Sequence, residues 1–251
     1  MKKRGLISAI AMLVVSAIVL TSATMAWFSM GKTVTVNSFT VDVTKADGLQ
    51  ISANGSDFGP SLNLADIKTA TTEGKFAVND IFSPVSSNGI SAFIGGQIDE
   101  NGLSLTSENV GGYYQFPVWI KYGGSSNINI SLAGTTVTAN AEQASGITAE
   151  KAARICIYKD TTTSASEVKV FAPNSETSES YKYASSASDT TGTALSTVVT
   201  DPSTITFGMN ANSTQKFIVK VWLEGFDTQC TDEIAAGGKF DVAITFTKVG
   251  A

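Results

Sequence analysis

Phe240-Asp241-Val242-Ala243-Ile244-Thr245-Phe246-Thr247 places a large apolar side chain at every second position. Period-two alternation marks a strand that buries one face and turns the other to a more polar surrounding. Upstream, Phe217, Val219, Val221 and Leu223 repeat the pattern, with Ile218 and Trp222 on the opposite face. The connection between them, Glu224 to Glu233, is rich in turn formers. Farther back, Phe116, Val118, Ile120 and Tyr122 alternate, Gly123-Gly124-Ser125-Ser126-Asn127 reads as a turn, and Ile128, Ile130 and Leu132 resume the alternation. This predicts a β-hairpin. Ile155 to Tyr158 and Val168 to Ala172 add two more strands, and Leu49, Ile51 and Ala53 a short one. Phe76 to Phe82 and Ile90 to Ile98 also read as strands, the second weakened by Gly95-Gly96. Two short helical insertions are expected, at Ser61–Thr69 with Ser61 as N-cap and at Thr148–Ala153. The sum is an all-β chain, a jelly-roll-like β-sandwich formed by residues 27–251 as one domain. Residues 174–204, rich in Ser, Thr and Ala and poor in large apolar side chains, are expected to form an exposed excursion.

The amino-terminal stretch carries a different signal. Lys2, Lys3 and Arg4 precede an apolar run from Leu6 to Leu20 and the small-residue segment Thr21 to Ala26. These are the three regions of a secretory signal helix, residues 1–26. Thr24 and Ala26 suit the small pockets of a signal peptidase, so cleavage is expected between Ala26 and Trp27, with Ala23 a second position. The alternative is a retained membrane anchor, because Leu6 to Phe28 is about long enough to span a bilayer. Membrane contact is expected only through this segment if it stays attached. A prepilin leader would carry a glutamate where Ile10 stands.

Residues 33–43 follow at once. Val34 and Val36 share one parity, and Phe39, Val41 and Val43 the other; the phase slips at Asn37-Ser38. That slip reads as a bulge or a break, with each phase serving one sheet face. Once the leader is removed, residues 27–43 become a strand with no covalent tether on its amino side. Such a strand can pair within its own domain or cross to a neighbour, and a head-to-tail contact of that kind propagates. If it is the linker, deleting Trp27 to Asn37 is expected to leave a folded chain that forms no filaments.

Composition narrows the chemistry. The chain has 251 residues, a formal net charge of −5 and 16% charged residues. Its 17 basic residues are scattered, with no cluster beyond Lys2 to Arg4, which argues against nucleic acid as a partner. With no histidine, the commonest general base and zinc ligand are absent. No Gly-x-Ser-x-Gly elbow is present. The chain is therefore read as non-enzymatic, with no cofactor. Asp227, Asp232 and Glu233 are calcium candidates, although acidic turns are usually just solvated. Cys156 and Cys230 form a candidate disulfide if the strand at Ile155 ends near the Cys230 loop. Tyr113, Tyr114, Trp119, Tyr122, Tyr158 and Trp222 fit either sheet packing or a sugar-stacking platform, packing being the commoner use.

Ala26-Trp27-Phe28-Ser29, followed at once by a threonine- and valine-rich strand, resembles the export signal of TasA and camelysin. These are surface and biofilm-matrix proteins of Gram-positive bacteria, processed by a dedicated signal peptidase. Trp222-Leu223-Glu224-Gly225-Phe226-Asp227-Thr228-Gln229-Cys230-Thr231 is similar to a pattern in exported proteins of the same group. The resemblance covers the first forty or so residues and this short stretch, and leaves the middle uncovered. It implies a secreted jelly-roll subunit, at the cell surface or in the extracellular matrix, whose freed N-terminal strand inserts into the next subunit to build filaments. The cysteine pair and the Ser/Thr-rich excursion depart from the pattern. A metalloprotease activity, associated with camelysin-like proteins, would need histidines that this chain lacks. The competing reading is a monomeric surface adhesin or glycan-binding module.

Overall fold

A computed structural model describes residues 33–44, 48–99, 102–106, 112–173, 181–186, 189 and 191–249. In chain order the elements are β1 (Val34–Val43), β2 (Leu49–Ser52), β3 (Ser61–Asn63), α1 (Leu64–Ala70), β4 (Ile81–Phe82), β5 (Pro84–Ser86), β6 (Ile94–Asp99), β7 (Gly102–Thr106), β8 (Tyr113–Tyr122) and β9 (Ile128–Ser131). They continue with β10 (Thr136–Ala139), β11 (Ala153–Lys159), β12 (Val170–Phe171), β13 (Lys182–Tyr183), β14 (Thr193–Ala194), β15 (Val198–Val199), β16 (Thr206–Met209), β17 (Ser213–Glu224) and β18 (Lys239–Val249). The chain is mostly β, as its alternation dictates.

A seven-stranded sheet runs β16-β9-β18-β1-β3, with β10 also on β18 and β4 also on β1. A nine-stranded sheet runs β15-β12-β11-β17-β5-β6-β7, with β8 on β17 and β2 on β8. One apolar core joins them. Phe240, Val242, Ile244 and Phe246 of β18 pack into the same cluster as Phe217, Val219, Val221 and Leu223 of β17. Ring contacts cross between the sheets: Phe39 of β1 stands edge-on to Phe116 of β8 at 5.5 Å, and Phe217 meets Phe246 at 5.6 Å. Side chains of the opposite parity on the second sheet, among them Cys156, Tyr113 and Trp222, form a separate cluster with Val85, Phe93, Val168 and Val170.

Four expectations need correction. First, β8 and β9 are not a hairpin. β8 has β2 and β17 on its two edges, so the chain after Tyr122 passes to the other sheet, where β9 pairs with β16 and β18. Second, the helix cap is Asn63 rather than Ser61. Asn63 Oδ1 accepts from the Asp66 N–H at 2.9 Å and Asp66 Oδ2 from the Asn63 N–H at 3.3 Å, a reciprocal capping box. Ser61 instead pairs with Asp42 of β1. Third, the described part of the 174–204 excursion is not wholly exposed: some of it lies against the second sheet, while Thr193, Ala194 and Ser203 stay exposed. β15 pairs parallel with β12, Leu195 and Val198 pack on the outer cluster, and the buried Ala184 donates its N–H to Ser86 Oγ at 2.7 Å. Its few apolar residues are irregularly spaced, so no periodicity announced the contact.

The fourth concerns β1. Val36 pairs with Phe240 and Ser38 with Asp241, which leaves Asn37 as an extra residue. This is a β-bulge inside one strand. An extra residue reverses parity, so the two phases face the same way rather than serving two sheet faces. Val34, Val36, Phe39, Val41 and Val43 are each 5% exposed or less, and all belong to the core between the two sheets.

Candidate functional site

The first strand and its seat form one candidate site. β1 lies between β18, to which it runs parallel, and β3 and β4, to which it runs antiparallel. Both edges are thus hydrogen-bonded within the chain, and Phe39 also packs against Tyr114 at 5.7 Å. Removing β1 would open a slot between β18 and β3–β4, with the core at its floor. This alters the expectation for the truncated chain. Deleting Trp27 to Asn37 takes Val34 and Val36 out of the core, so the truncation cannot be neutral to folding. Ala26, Trp27 and the signal segment lie outside the described residues. Among the described residues no helix is long and apolar enough to cross a membrane.

The end of β17 and the turn after it hold a buried polar cluster. The Arg154 guanidinium, from β11, forms an ion pair with Asp227, and the two side chains are 2% and 0% exposed. Arg154 also donates to the Lys151 and Ala153 carbonyls at 3.0 and 2.8 Å. Asp227 Oδ1 accepts from the Gln229 N–H at 2.7 Å, and the Thr148 hydroxyl donates to Gln229 Oε1 at 3.1 Å. Glu224 accepts from the Trp222 indole N–H at 2.9 Å and the Phe226 N–H at 3.2 Å. The residues that carry the C-terminal resemblance therefore build a structural corner, in which the buried Glu224 and Asp227 side chains each have polar partners.

This corner overturns the calcium reading at Asp227, whose carboxylate is committed to Arg154. Glu233 is exposed and accepts from the Thr231 hydroxyl at 3.3 Å. No group of three or more candidate ligands that could hold a metal occurs among the described residues, and the Asp232 side chain lies outside them.

Burial pushes the Glu224 carboxyl up to about 7, against hydrogen bonds from Ser86 and Trp222 and the charge of Arg154. A raised carboxyl binds protons better in the folded state. Its contribution is fully present below the ordinary value of 4.5 and is lost as pH rises through about 7. Glu224→Gln, which keeps an acceptor for the Trp222 indole, is expected to flatten the decline of stability over that window. Urea unfolding of both proteins at about pH 5 and about pH 8 checks this. An unchanged pH slope would mean that Glu224 ionises in place without penalty.

The cysteine expectation is also corrected. No disulfide joins Cys156 and Cys230. Cys156 has the parity opposite to Ile155 and Ile157, so it enters the outer cluster, while Cys230 sits in the main core. Burial pushes the Cys156 thiol up to about 12. Gly89, at φ 94°, closes over it; a Cβ there would lie 2.7 Å from the Cys156 Sγ. Iodoacetamide is expected to modify neither thiol in the folded protein and both in denaturant without prior reduction. Blocked labelling in denaturant, relieved by a reductant, would show a disulfide.

A second candidate site lies on the outer face of the second sheet. Lys220 of β17, with Ile218 and Trp222, points away from the main core and is 3% exposed. Its ammonium donates to the Ile90 and Ser91 carbonyls at 3.1 and 3.3 Å and lies 5.3 and 5.7 Å from the rings of Phe93 and Tyr158. Among the described residues no carboxylate pairs with it. It lines a cavity of about 240 Å³ with Phe93, Tyr113, Tyr158 and the exposed Lys75. Burial pushes the Lys220 ammonium down to about 8, and Lys75 adds to the shift. A neighbouring groove of about 430 Å³ shares Ile90, Gln115 and Tyr158 and adds Asp160, Thr162 and Thr163.

Of the aromatic residues, Tyr114, Tyr122 and Trp222 are buried in packing, while Tyr158 and Trp119 remain partly exposed. Lys220, Arg154 and Glu224 were missed in the sequence. Their signal was faint: a cation between Val219 and Val221, on a parity shared with Ile218 and Trp222, marks a face that is covered rather than solvated. No family model, no curated protein and no solved structure matches this chain.

Proposed function

We propose that this chain is an exported structural protein, a jelly-roll-like β-sandwich subunit of filaments at the cell surface or in the extracellular matrix. Residues 1–26 act as a signal helix that a signal peptidase removes between Ala26 and Trp27. Subunits are joined by exchange of the first strand. The observation that carries this reading is the place of β1: an N-terminal strand in the interior of its sheet, hydrogen-bonded on both edges, with every apolar side chain in the core. A strand in that position is self-complementing in a monomer. Placed in the equivalent slot of a neighbour, it keeps the same ladder and the same buried area while linking two chains.

Only residues 44–48 separate β1 from β2. An extended chain spans about 3.5 Å per residue, so exchanging subunits must sit in direct contact. Because β1 is interior, exchange after folding requires opening the domain. Assembly is therefore fast while chains are folding together and slow from folded monomer.

Negative-stain microscopy of the purified chain 27–251, refolded at high concentration, tests the proposal. Filaments are expected. Uniform monomers at every concentration would instead support the monomeric adhesin or glycan-binding module.

A further inference from the structure

We infer that the Lys220 cavity and the groove beside it form a binding site for an acidic sugar, a uronic acid residue of a surface or matrix polysaccharide. The inference does not depend on strand exchange. Taking an ammonium out of water is costly unless an anion or a full set of acceptors replaces the solvent. Lys220 has two backbone carbonyls, no carboxylate among the described residues, and a second lysine, Lys75, on the same cavity. A ligand carboxylate supplies the missing counter-charge, and the buried setting strengthens the pairing.

The walls select the rest of the ligand. Phe93 and Tyr113 stack at 3.8 Å between ring centres and fix one side, while the partly exposed Tyr158 ring borders both the cavity and the groove. An aromatic face of this kind suits the C–H face of a pyranose. Gln115, Thr162 and Thr163 offer donors and acceptors for hydroxyls. Asp160 lines the groove and not the cavity, so a second anion there would be repelled whereas a hydroxyl donor would be welcome. One carboxylate at one end and hydroxyls at the other describe a uronate better than a polyphosphate or a sulfated chain. Pockets for drug-sized ligands run from about 300 Å³ upward, so the 240 Å³ cavity fits a single sugar residue, with the next one in the groove.

The test is an NMR titration of the folded chain 27–251 with methyl β-D-glucuronide and, in parallel, methyl β-D-glucoside, which differs only in the carboxylate. Sodium sulfate and tetra-alanine serve as the inorganic-anion and peptide-carboxylate arms. The glucuronide is expected to shift resonances around Lys220 and Tyr158. Lys220→Met keeps the alkyl stem and is expected to weaken binding about tenfold or more, the worth of one charge-assisted hydrogen bond. Tyr158→Leu is expected to weaken it through loss of the ring face, and Lys121→Met, away from the cavity, to leave it unchanged. Equal binding of glucoside and glucuronide would overturn the inference. So would sulfate or tetra-alanine binding as tightly as the sugar, no binding by the glucuronide, or undiminished binding by both folded cavity variants.

Discussion

A chain beginning at Thr44 is expected not to fold on its own, and a peptide of residues 27–43 added in trans is expected to restore it. The size of the effect follows from burial. Val34, Val36, Phe39, Val41 and Val43 are each 5% exposed or less. Removing large apolar side chains from water is worth roughly 1.5–3 kcal/mol each. The sum rivals the roughly 5–15 kcal/mol net stability of a typical domain, before the lost ladder bonds to β18 and β3 are counted. Circular dichroism and thermal melting should show a cooperative transition for the parent and none for the truncated chain. Adding the peptide should bring the transition back, with a midpoint that rises with peptide concentration. Val41→Asp, at a 0% exposed position, should destroy the peptide's effect. A truncated chain that melts like the parent would show that the core closes without β1, and the exchange mechanism would lose its driving force.

Breaking the Arg154–Asp227 pair should be the most damaging polar substitution. Arg154→Met leaves a carboxylate buried at 0% exposure without its cation, and Asp227→Asn leaves the guanidinium without its anion. Each is expected to cost about 3–5 kcal/mol. The Arg154 charge also favours ionised Glu224, so its loss disturbs a second buried acid. Replacing both partners, Arg154→Met with Asp227→Leu, should recover most of the loss, because no buried charge is then orphaned. Urea unfolding of the two single variants and the double variant measures this. Losses that simply add would show that the two groups do not act as a pair.

Where alternation was strict, the sequence was legible. Strands β8, β11, β17 and β18 fall where Phe116, Ile155, Phe217 and Phe240 begin or sit within period-two runs. The phase slip at Asn37 was visible too, but parity alone cannot tell a bulge from a change of sheet. Only the partner strand, with Phe240 opposite Val36 and Asp241 opposite Ser38, shows that both phases face one core. The loop after Tyr122 misled for a related reason. A glycine-rich connection reverses direction equally well within a sheet or between sheets, and the choice depends on whether β2 already occupies the edge of β8. Neither candidate site was legible as a site. Lys220 reads as an ordinary strand lysine until Ile90, Phe93 and the residues after 180 are seen to cover that face of the sheet. Cys156 and Cys230 look like partners because they are the only two cysteines, yet the parity of β11 sends Cys156 to the outer cluster while the connection after β17 places Cys230 in the main core.

If subunits are joined by strand exchange, β1 leaves its own slot and fills a neighbour's. Thr40 of β1 and Ala243 of β18 are register partners in the parallel pair, close enough for a disulfide if both become cysteine. The measurement is a non-reducing denaturing gel of filaments formed by a single chain carrying both Thr40→Cys and Ala243→Cys, oxidised after assembly. Exchange predicts a ladder of covalent dimers, trimers and longer species that collapses to monomer on reduction. Filaments that run as internally bridged monomers would show that β1 never left its own domain, and would contradict the mechanism.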